Sequence, residues 1–321
     1  MSAAGQATTT RAVPSARSTS TKGDRRRRIG ERWYVPYLFI LPHFLLFAIF
    51  IAYPFFLGIW ISFHDYGFRG SGPFVGFDNY VDLFNPSSIY FPRFWQTVWN
   101  TILFVLMSVP TLIGFALLLA VLLNQKVRFR NLFRAVFFAP WTLSVAVVGL
   151  IWWWLFNGQA GFVTLFMQDV FGGSPGWLTS NPWAWIAILT ATLWWTIGFN
   201  TIILLAGLQG ISADLYEASS IDGANRWQQF RHITLPSLRP VLLLVITLQI
   251  IASFQLLGQP QIMTGGSPPP ADTAPVMLQI YNTALQGRRD LSLGAAMAII
   301  VAVLMLIVSV LNFRFFSSER S

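Results

Sequence analysis

The sequence predicts an all-α protein that crosses a membrane six times. Hydrophobic residues fill 55% of the 321 positions and charged residues only 10%, whereas a soluble domain has roughly 25% charged residues. Six apolar stretches also reach the roughly 20 residues that a helix needs to cross the hydrocarbon core of a bilayer. The predicted spans are approximately residues 37–63, 97–123, 135–156, 184–208, 240–263 and 291–313.

The distribution of positive charge predicts the orientation of these spans. Of the 21 Lys and Arg residues, 17 lie before span one, between spans two and three, between spans four and five, or after span six. The opposite loops contain only Arg69, Arg93, Arg288 and Arg289. Because positive residues near span ends mark the cytoplasmic side, we expect both termini in the cytoplasm. Contact with lipid headgroups explains this charge better than a nucleic-acid ligand does.

The chain divides into three predicted regions. Residues 1–32 are rich in Ser, Thr, Ala and Arg and form no apolar face, so we expect a disordered basic cytoplasmic tail. The transmembrane domain covers residues 33–316, and residues 317–321 form a cytoplasmic C-terminus. The first apolar run is too long for a cleavable signal peptide, so span one is expected to remain as an anchor.

Several residue types that would support other functions are missing. The central spans contain no Asp, Glu, Lys or Arg, although ionisable groups inside the membrane mark ion and proton pathways. Neither lysine fits the phosphate-binding pattern G-x-x-x-x-G-K-[ST]. The chain has no cysteine, and His43, His64 and His232 are scattered. We therefore expect a non-catalytic protein with no metal site, no cofactor of its own and no site for ATP.

A polar, charged segment, residues 209–239, lies between spans four and five. Ser212 is a predicted N-cap, and Asp214 places a negative charge in the first turn, where it suits the helix dipole. These residues predict a short helix over 213–221. The pair Asp222-Gly223 predicts a turn after it, because Gly accepts the left-handed conformation that closes a helix.

A second short helix is predicted over residues 224–232, and Leu235-Pro236 is expected to end it and redirect the chain into span five. Leu215, Trp227 and Phe230 give this helix–turn–helix an apolar surface. By composition alone, the segment could equally be an amphipathic linker that lies on lipid headgroups.

The segment resembles the signature of the inner-membrane permease subunits of bacterial ATP-binding-cassette importers. That signature reads E-A-A, three residues, G, nine residues, then I-x-L-P, and every spacing is kept here. The one departure is a serine in place of the second Ala. The matching residues are Glu217, Ala218, Ser219, Gly223, Ile233, Leu235 and Pro236.

The resemblance continues outside this segment and points to the carbohydrate branch of the family. Residues 74–80 (FVGFDNY) are similar to its first external loop, and 263–268 (MTGGSP) to the loop after its fifth span. Residues 133–140 (FRAVFFAP) and 148–152 (VGLIW) resemble the start and middle of its third span.

The resemblance implies the fold of the importer permeases called type I, in a bacterial cytoplasmic membrane. It implies a second permease subunit, two ATPase subunits that bind and hydrolyse ATP, and an extracytoplasmic solute-binding protein. The seven residues that match the signature are implied to dock to the ATPase, with Glu217 and Gly223 central. We therefore expect half of a translocation pathway for a sugar. An ion-coupled secondary transporter and an importer permease for a non-sugar solute remain alternatives.

Polar and aromatic residues inside the spans are candidates for contact with the solute. At 1.5 Å per helical residue, Trp194, Trp195 and Gln249 fall near the middle of the membrane. Asn200, Ser253 and Gln255 lie within a few helical turns of that level. Amides and aromatic faces suit a neutral polyhydroxyl ligand, although bonds between helices are the more common role of such residues. The candidates are Trp194, Trp195, Asn200, Gln249, Ser253 and Gln255. Residues 152–154, all Trp, are expected in an external aromatic belt.

Overall fold

The computed structural model describes residues 34–67, 70–125, 128–265, 273–286 and 289–317. The predicted tail, residues 1–32, lies outside the described residues, as do residues 318–321 of the predicted C-terminus. The chain forms two units, Met1–Phe55 and Phe56–Ser321. Within the described part, five helices are long and apolar enough to cross a membrane, or six if one bent pair counts as a span.

Span one is a continuous helix from Val35 to Ser62. It consists of α1 (Val35–Phe47), a π-helical stretch (Ala48–Ala52) and α2 (Tyr53–Ser62). In the π-helical stretch the Tyr53 N–H bonds to the carbonyl of Ala48, five residues back. Pro54 follows directly; it has no N–H, and its ring would collide with a carbonyl four residues back. The wider turn relieves this conflict, so the span stays helical.

The spans of the second unit pack around shared apolar cores. α4 (Phe91–Asn124), α8 (Trp183–Gln209) and α11 (Leu235–Phe254) contact one another, and α14 (Leu291–Ser317) packs against α11. Small residues permit close approach: a Cβ at Gly207 of α8 would lie 2.8 Å from Leu238 of α11. α4, α8 and α14 cover the residues of predicted spans two, four and six, and α4 and α14 extend beyond them.

Span three differs from the prediction of one continuous helix over residues 135–156. It consists of α5 (Arg130–Phe138), a 3₁₀ turn (Ala139–Thr142) and α6 (Val145–Leu155), and the two parts meet at 99°. The break follows from local chemistry. Pro140 lies at the start of the 3₁₀ turn, and Ser144 has extended backbone and caps α6. The residues of predicted span three therefore form two helices instead of one, because Pro140 and the cap at Ser144 prevent a continuous helix.

Span five reaches its predicted limit at residue 263 but is interrupted on the way. α11 ends at Phe254, and α12 (Gly258–Met263) follows as a separate helix. α12 packs against α6, and a Cβ at Gly258 would lie 2.6 Å from Val145. Gln255 therefore lies at the end of α11, before the break, and Gln259 lies in α12 after it.

Short elements connect the spans, and the sequence did not predict them. β1 (His64–Gly67) and β2 (Gly70–Phe74) form an antiparallel hairpin. α3 (Asp78–Phe84) and α13 (Val276–Leu285) pack against the bundle. A further connecting element is α7 (Phe162–Phe171).

We expect Gly198→Ala to destabilise the contact between α5 and α8. A Cβ at this buried glycine would fall on the carbonyl of Phe137, and overpacking typically costs about 1–3 kcal/mol. Thermal unfolding of the purified protein in detergent should show a lower midpoint. Gly114→Ala is the matched control, because a Cβ at exposed Gly114 meets nothing within 4 Å. An equal effect of both substitutions would contradict this packing.

Candidate functional site

The first helix of segment 209–239 forms as the sequence predicts. α9 spans Ala213–Ile221, and the Ser212 side chain accepts a hydrogen bond from the Asp214 N–H at 3.3 Å. Asp214 lies in the first turn. The cap satisfies one of the free N–H groups at the start of the helix, so the side chain of Ser212 determines that α9 begins at Ala213.

The predicted turn at Gly223 is also confirmed. Gly223 has φ +79°, the left-handed conformation that glycine adopts without strain. The Gly223 N–H donates to the carbonyl of Ser220 at 3.1 Å, and the Ala224 N–H donates to the carbonyl of Ser219 at 2.9 Å. These two bonds form a Schellman motif. The turn therefore has a defined geometry that fixes where the second helix starts.

The second helix begins at Arg226, two residues later than predicted. α10 (Arg226–Gln229) starts with a capping box. The Asn225 side chain accepts from the Gln228 N–H at 2.9 Å, and the Gln228 side chain accepts from the Asn225 N–H at 2.8 Å. These reciprocal bonds stabilise a helix start in an exposed segment.

The prediction that Leu235-Pro236 ends this helix was wrong. The chain passes through a π-helical stretch (Phe230–Thr234) directly into α11, and the Leu235 N–H bonds to the carbonyl of Phe230. Pro236 lies in the first turn of α11, and the wide turn before it accommodates its ring, as in span one. The second helix of the segment is therefore the first part of span five.

Hydrogen bonds from Gln229 tie the two helices of the segment together. Its Nε2 lies 2.9 Å from Ser220 Oγ and 3.1 Å from Ser219 Oγ, and it also donates to the carbonyl of Tyr216 at 3.4 Å. The Tyr216 hydroxyl lies 2.9 Å from Thr234 Oγ1. We call these five residues the Gln229 clamp. The serine that replaces the second Ala of the signature is thus an acceptor within the clamp.

The outer surface of the segment combines one carboxylate with apolar side chains. Glu217 and Ala218 are exposed on α9. Ile221 is 86% exposed and Trp227 is 67% exposed, and the Trp227 ring stacks on Phe230 at 5.7 Å. An exposed apolar patch around a charge is typical of an interaction site.

The residues that match the signature do not form one surface. Ser219 is half-buried in the clamp and Gly223 forms the turn, while Ile233 is half-buried in the π-helical stretch. Leu235 and Pro236 are exposed in the first turn of α11. Glu217 and Ala218 are therefore the two signature residues on the exposed face of α9.

Three of the solute candidates lie in a buried polar network between spans. Asn200 Nδ2 donates to Gln249 Oε1 at 3.2 Å, and Gln249 Nε2 donates to Ser253 Oγ at 3.5 Å. Ser253 Oγ lies 2.9 Å from Ser108 Oγ. All four residues are buried. The network joins α4, α8 and α11, so these side chains bind neighbouring helices in this structure.

The other three candidates lie outside that network. Trp195 donates its ring N–H to the carbonyl of Leu143 at 3.1 Å, in the break of span three. Trp194 is 37% exposed. Gln255 is exposed at the end of α11, and its side chain has no hydrogen-bond partner within the described ranges. Trp194 and Gln255 therefore have surface available to a solute.

Two further tryptophans, Trp141 and Trp152, lie beside Trp195 and Trp194 respectively. Trp141, which sequence reasoning missed, is 36% exposed and stacks on Phe199 at 4.6 Å; its position directly after Pro140 was the available signal. Trp152 was expected in an external belt, but it packs against Phe156 and Trp194 with ring centroids 5.4 and 5.9 Å apart. In the described part of the chain, no three His, Cys, Asp or Glu side chains are placed to hold a metal ion.

Comparison with known proteins decides the family. Residues 113–319 match the family model described as the binding-protein-dependent transport system inner membrane component. The chain belongs to this family. It is 32% identical to the sulfoquinovosyl glycerol transport system permease protein SmoG of Agrobacterium fabrum, over 89% of the chain and 91% of that protein. It is 35% identical to the trehalose/maltose transport system permease protein MalF of Thermococcus litoralis, over 84% and 89%.

Solved structures support the same fold. The chain matches a bacterial alginate ABC transporter in complex with an alginate pentasaccharide-bound periplasmic protein, with a TM-score of 0.74 and 25% identity. The match covers 87% of this chain and 92% of that one. The predicted type I importer-permease fold is confirmed, and the chain is a multi-pass membrane protein of this family.

We expect Asn200 and Gln249 to be energetically coupled. Gln249→Leu leaves the Asn200 amide without the acceptor that it has across the helix interface. Such bonds in membrane proteins are worth about 0.6 kcal/mol on average, with a maximum of about 1.7. A double-mutant cycle on thermal stability with Asn200→Leu should give a coupling energy of that size. Strictly additive losses would contradict the bond.

Proposed function

We propose that the chain forms half of the translocation pathway of an ATP-driven importer for a sugar or sugar-like solute. The observation that carries this proposal is the similarity, at 32–35% identity over most of the chain, to the permease proteins named for sulfoquinovosyl glycerol and trehalose/maltose. The alginate transporter of similar fold was solved with a periplasmic protein that holds an oligosaccharide. A second permease subunit, two ATPase subunits and an extracytoplasmic binding protein complete the assembly.

The orientation follows from charge. The basic residues cluster on one side of the spans, which places the termini and segment 209–239 in the cytoplasm. The ATPase subunits then approach this segment from the cytoplasm and supply the hydrolysis, while this chain remains non-catalytic. Family membership and the lack of acidic residues in the central spans disfavour the ion-coupled alternative.

Segment 209–239 couples ATP binding to movement of the spans. An ATPase groove receives the exposed surface around Glu217, Ile221 and Trp227. The Gln229 clamp prevents α9 from moving independently of α10, and α10 continues into span five. A push on α9 is therefore transmitted to the bundle, which switches between two states that bind the solute unequally.

The solute passes along the surface that carries Trp194 and Gln255. Trp194 offers an aromatic ring and Gln255 an amide that is free of hydrogen bonds to described residues. Aromatic rings bind the apolar faces of sugars, and an amide donates to and accepts from hydroxyls. Asn200, Gln249 and Ser253 hold this surface in place through the network between the spans.

Glu217→Ala is expected to uncouple ATP hydrolysis from uptake while leaving the protein in the membrane. Glu217 is exposed, and its carboxylate has no hydrogen-bond or ion-pair partner among the described residues, so its loss removes a docking charge. Solute uptake and ATPase activity should be measured in proteoliposomes with all subunits. Asp214→Asn removes a charge one turn earlier and serves as the control. Normal uptake by the Glu217 variant would rule out this role.

Gly223→Val is expected to have the same effect through the backbone. A Cβ at Gly223 meets no atom within 4 Å, so the positive φ is the main obstacle to a substitution here. Asn tolerates this conformation and β-branched residues do not. Uptake should therefore be lost in Gly223→Val and largely kept in Gly223→Asn. Equal activity of the two variants would show that the turn geometry is unimportant.

Trp194→Ala and Gln255→Ala should each weaken solute transport by about 2- to 12-fold, because a lost hydrogen bond or aromatic contact is worth about 0.5–1.5 kcal/mol. Uptake by the complete complex is measured with the solute that most stimulates its ATPase activity in the presence of the binding protein. Trp154→Ala, which removes a 57% exposed ring, is the control. If neither variant differs from that control, the solute follows another surface.

A further inference from the structure

A pocket of about 480 Å³ with both polar and apolar lining lies between segment 209–239 and the ends of two spans. One wall comes from the ends of α4 and α8, and the other from α9, α10 and the π-helical stretch. The residues that line it are Val121, Asn124, Gln125, Leu208, Tyr216, Arg226, Gln229, Phe230 and Thr234.

Three exposed side chains at this pocket have donor groups that no described residue accepts. Within the part of the chain that the structure describes, the side chains of Asn124, Gln125 and Arg226 have no hydrogen-bond or ion-pair partner. Tyr216 and Gln229, by contrast, are engaged in the Gln229 clamp. None of the described lining residues is acidic. The pocket therefore offers a positive charge and two amides that have no partner among the described residues, a combination that suits an anion with additional polar groups.

The size and chemistry of the pocket define the anion further. The planar guanidinium of Arg226 matches two phosphate oxygens at once. Ligand pockets typically measure about 300–1,000 Å³, and a bare phosphate would leave most of this volume unfilled. We propose that the pocket binds a phosphate ester, with Arg226 paired to the phosphate and Asn124 and Gln125 bonded to its polar body.

Such a ligand would connect the segment to the bundle. Arg226 belongs to α10 and Asn124 to the end of α4, so an ester bound to both resists their relative movement. On the proposed function, occupancy would slow the transport cycle, because it stabilises one of the two states. The binding site itself stands on geometry alone and does not depend on that function.

The phosphate ester has two possible sources, and the test separates them. The chain is purified at full length, with the subunits that accompany it and without nucleotide, in an uncharged detergent that contains no phosphorus. Glucose 6-phosphate is the soluble probe, titrated by calorimetry. Native mass spectrometry detects phospholipid that stays bound. Both measurements are made on wild type, Arg226→Gln, Asn124→Asp and Arg231→Gln.

Arg231→Gln is the matched control, because Arg231 is an exposed arginine of the π-helical stretch that does not line the pocket. Binding of glucose 6-phosphate that weakens at least tenfold in Arg226→Gln and Asn124→Asp, and less than twofold in Arg231→Gln, identifies a soluble ester. A retained phospholipid that the first two variants lose and Arg231→Gln keeps identifies a lipid headgroup. Absence of both ligands from wild type, or equal binding by all four proteins, would overturn the proposal. These measurements involve no transport, so a failure of the proposed function would leave them unaffected.

Discussion

The proposed transport mechanism depends on the hydrogen bonds that Gln229 makes across segment 209–239. An exposed helix–turn–helix has few apolar contacts, and polar segments of this kind are usually mobile. Here one amide group binds Ser219, Ser220 and the carbonyl of Tyr216. These bonds, with the Schellman turn at Gly223, make α9 a fixed extension of the helix that becomes span five.

The bilayer imposes a second constraint, which explains the buried polar residues. Hydrocarbon offers no hydrogen bonds, so a polar side chain inside the membrane needs a partner from the protein. Asn200, Gln249, Ser253 and Ser108 satisfy one another. Their bonds connect α4, α8 and α11, and in the proposed mechanism this connection carries a movement of span five to α4 and α8.

The sequence predicted the long apolar helices α4, α8 and α14 and the first helix of the segment well, because apolar length and capping residues are local signals. It failed where distant contacts or wide helical turns decide the structure. Pro236 was expected to end a helix, yet the π-helical stretch before it keeps the helix continuous. Span five breaks after Phe254, where Gly258 packs against Val145 of another span, and no local pattern shows that contact.

The sequence located the segment and the types of residue in the candidate site, but it did not show which side chains contact one another. The signature spacing located segment 209–239, and residue type selected the polar candidates in the spans. Residue type could not distinguish Gln249, which is bonded to Asn200, from Gln255, which is exposed. That difference depends on which helix face meets a neighbour, a tertiary property. Arg226 escaped notice because its pocket forms only when α10 packs near the end of α4.

The rigidity of the segment can be measured directly, because the chain has no cysteine that would compete for a spin label. Labels on introduced cysteines at Ala213, which is exposed at the start of α9, and Leu244, which is 53% exposed, report the distance between α9 and span five by pulsed electron paramagnetic resonance. In an active complex with all subunits, a rigid lever keeps one narrow distance with and without trapped ATP. A shift of about one helical turn, roughly 5 Å, or a broad distribution in either state would contradict transmission through the Gln229 clamp.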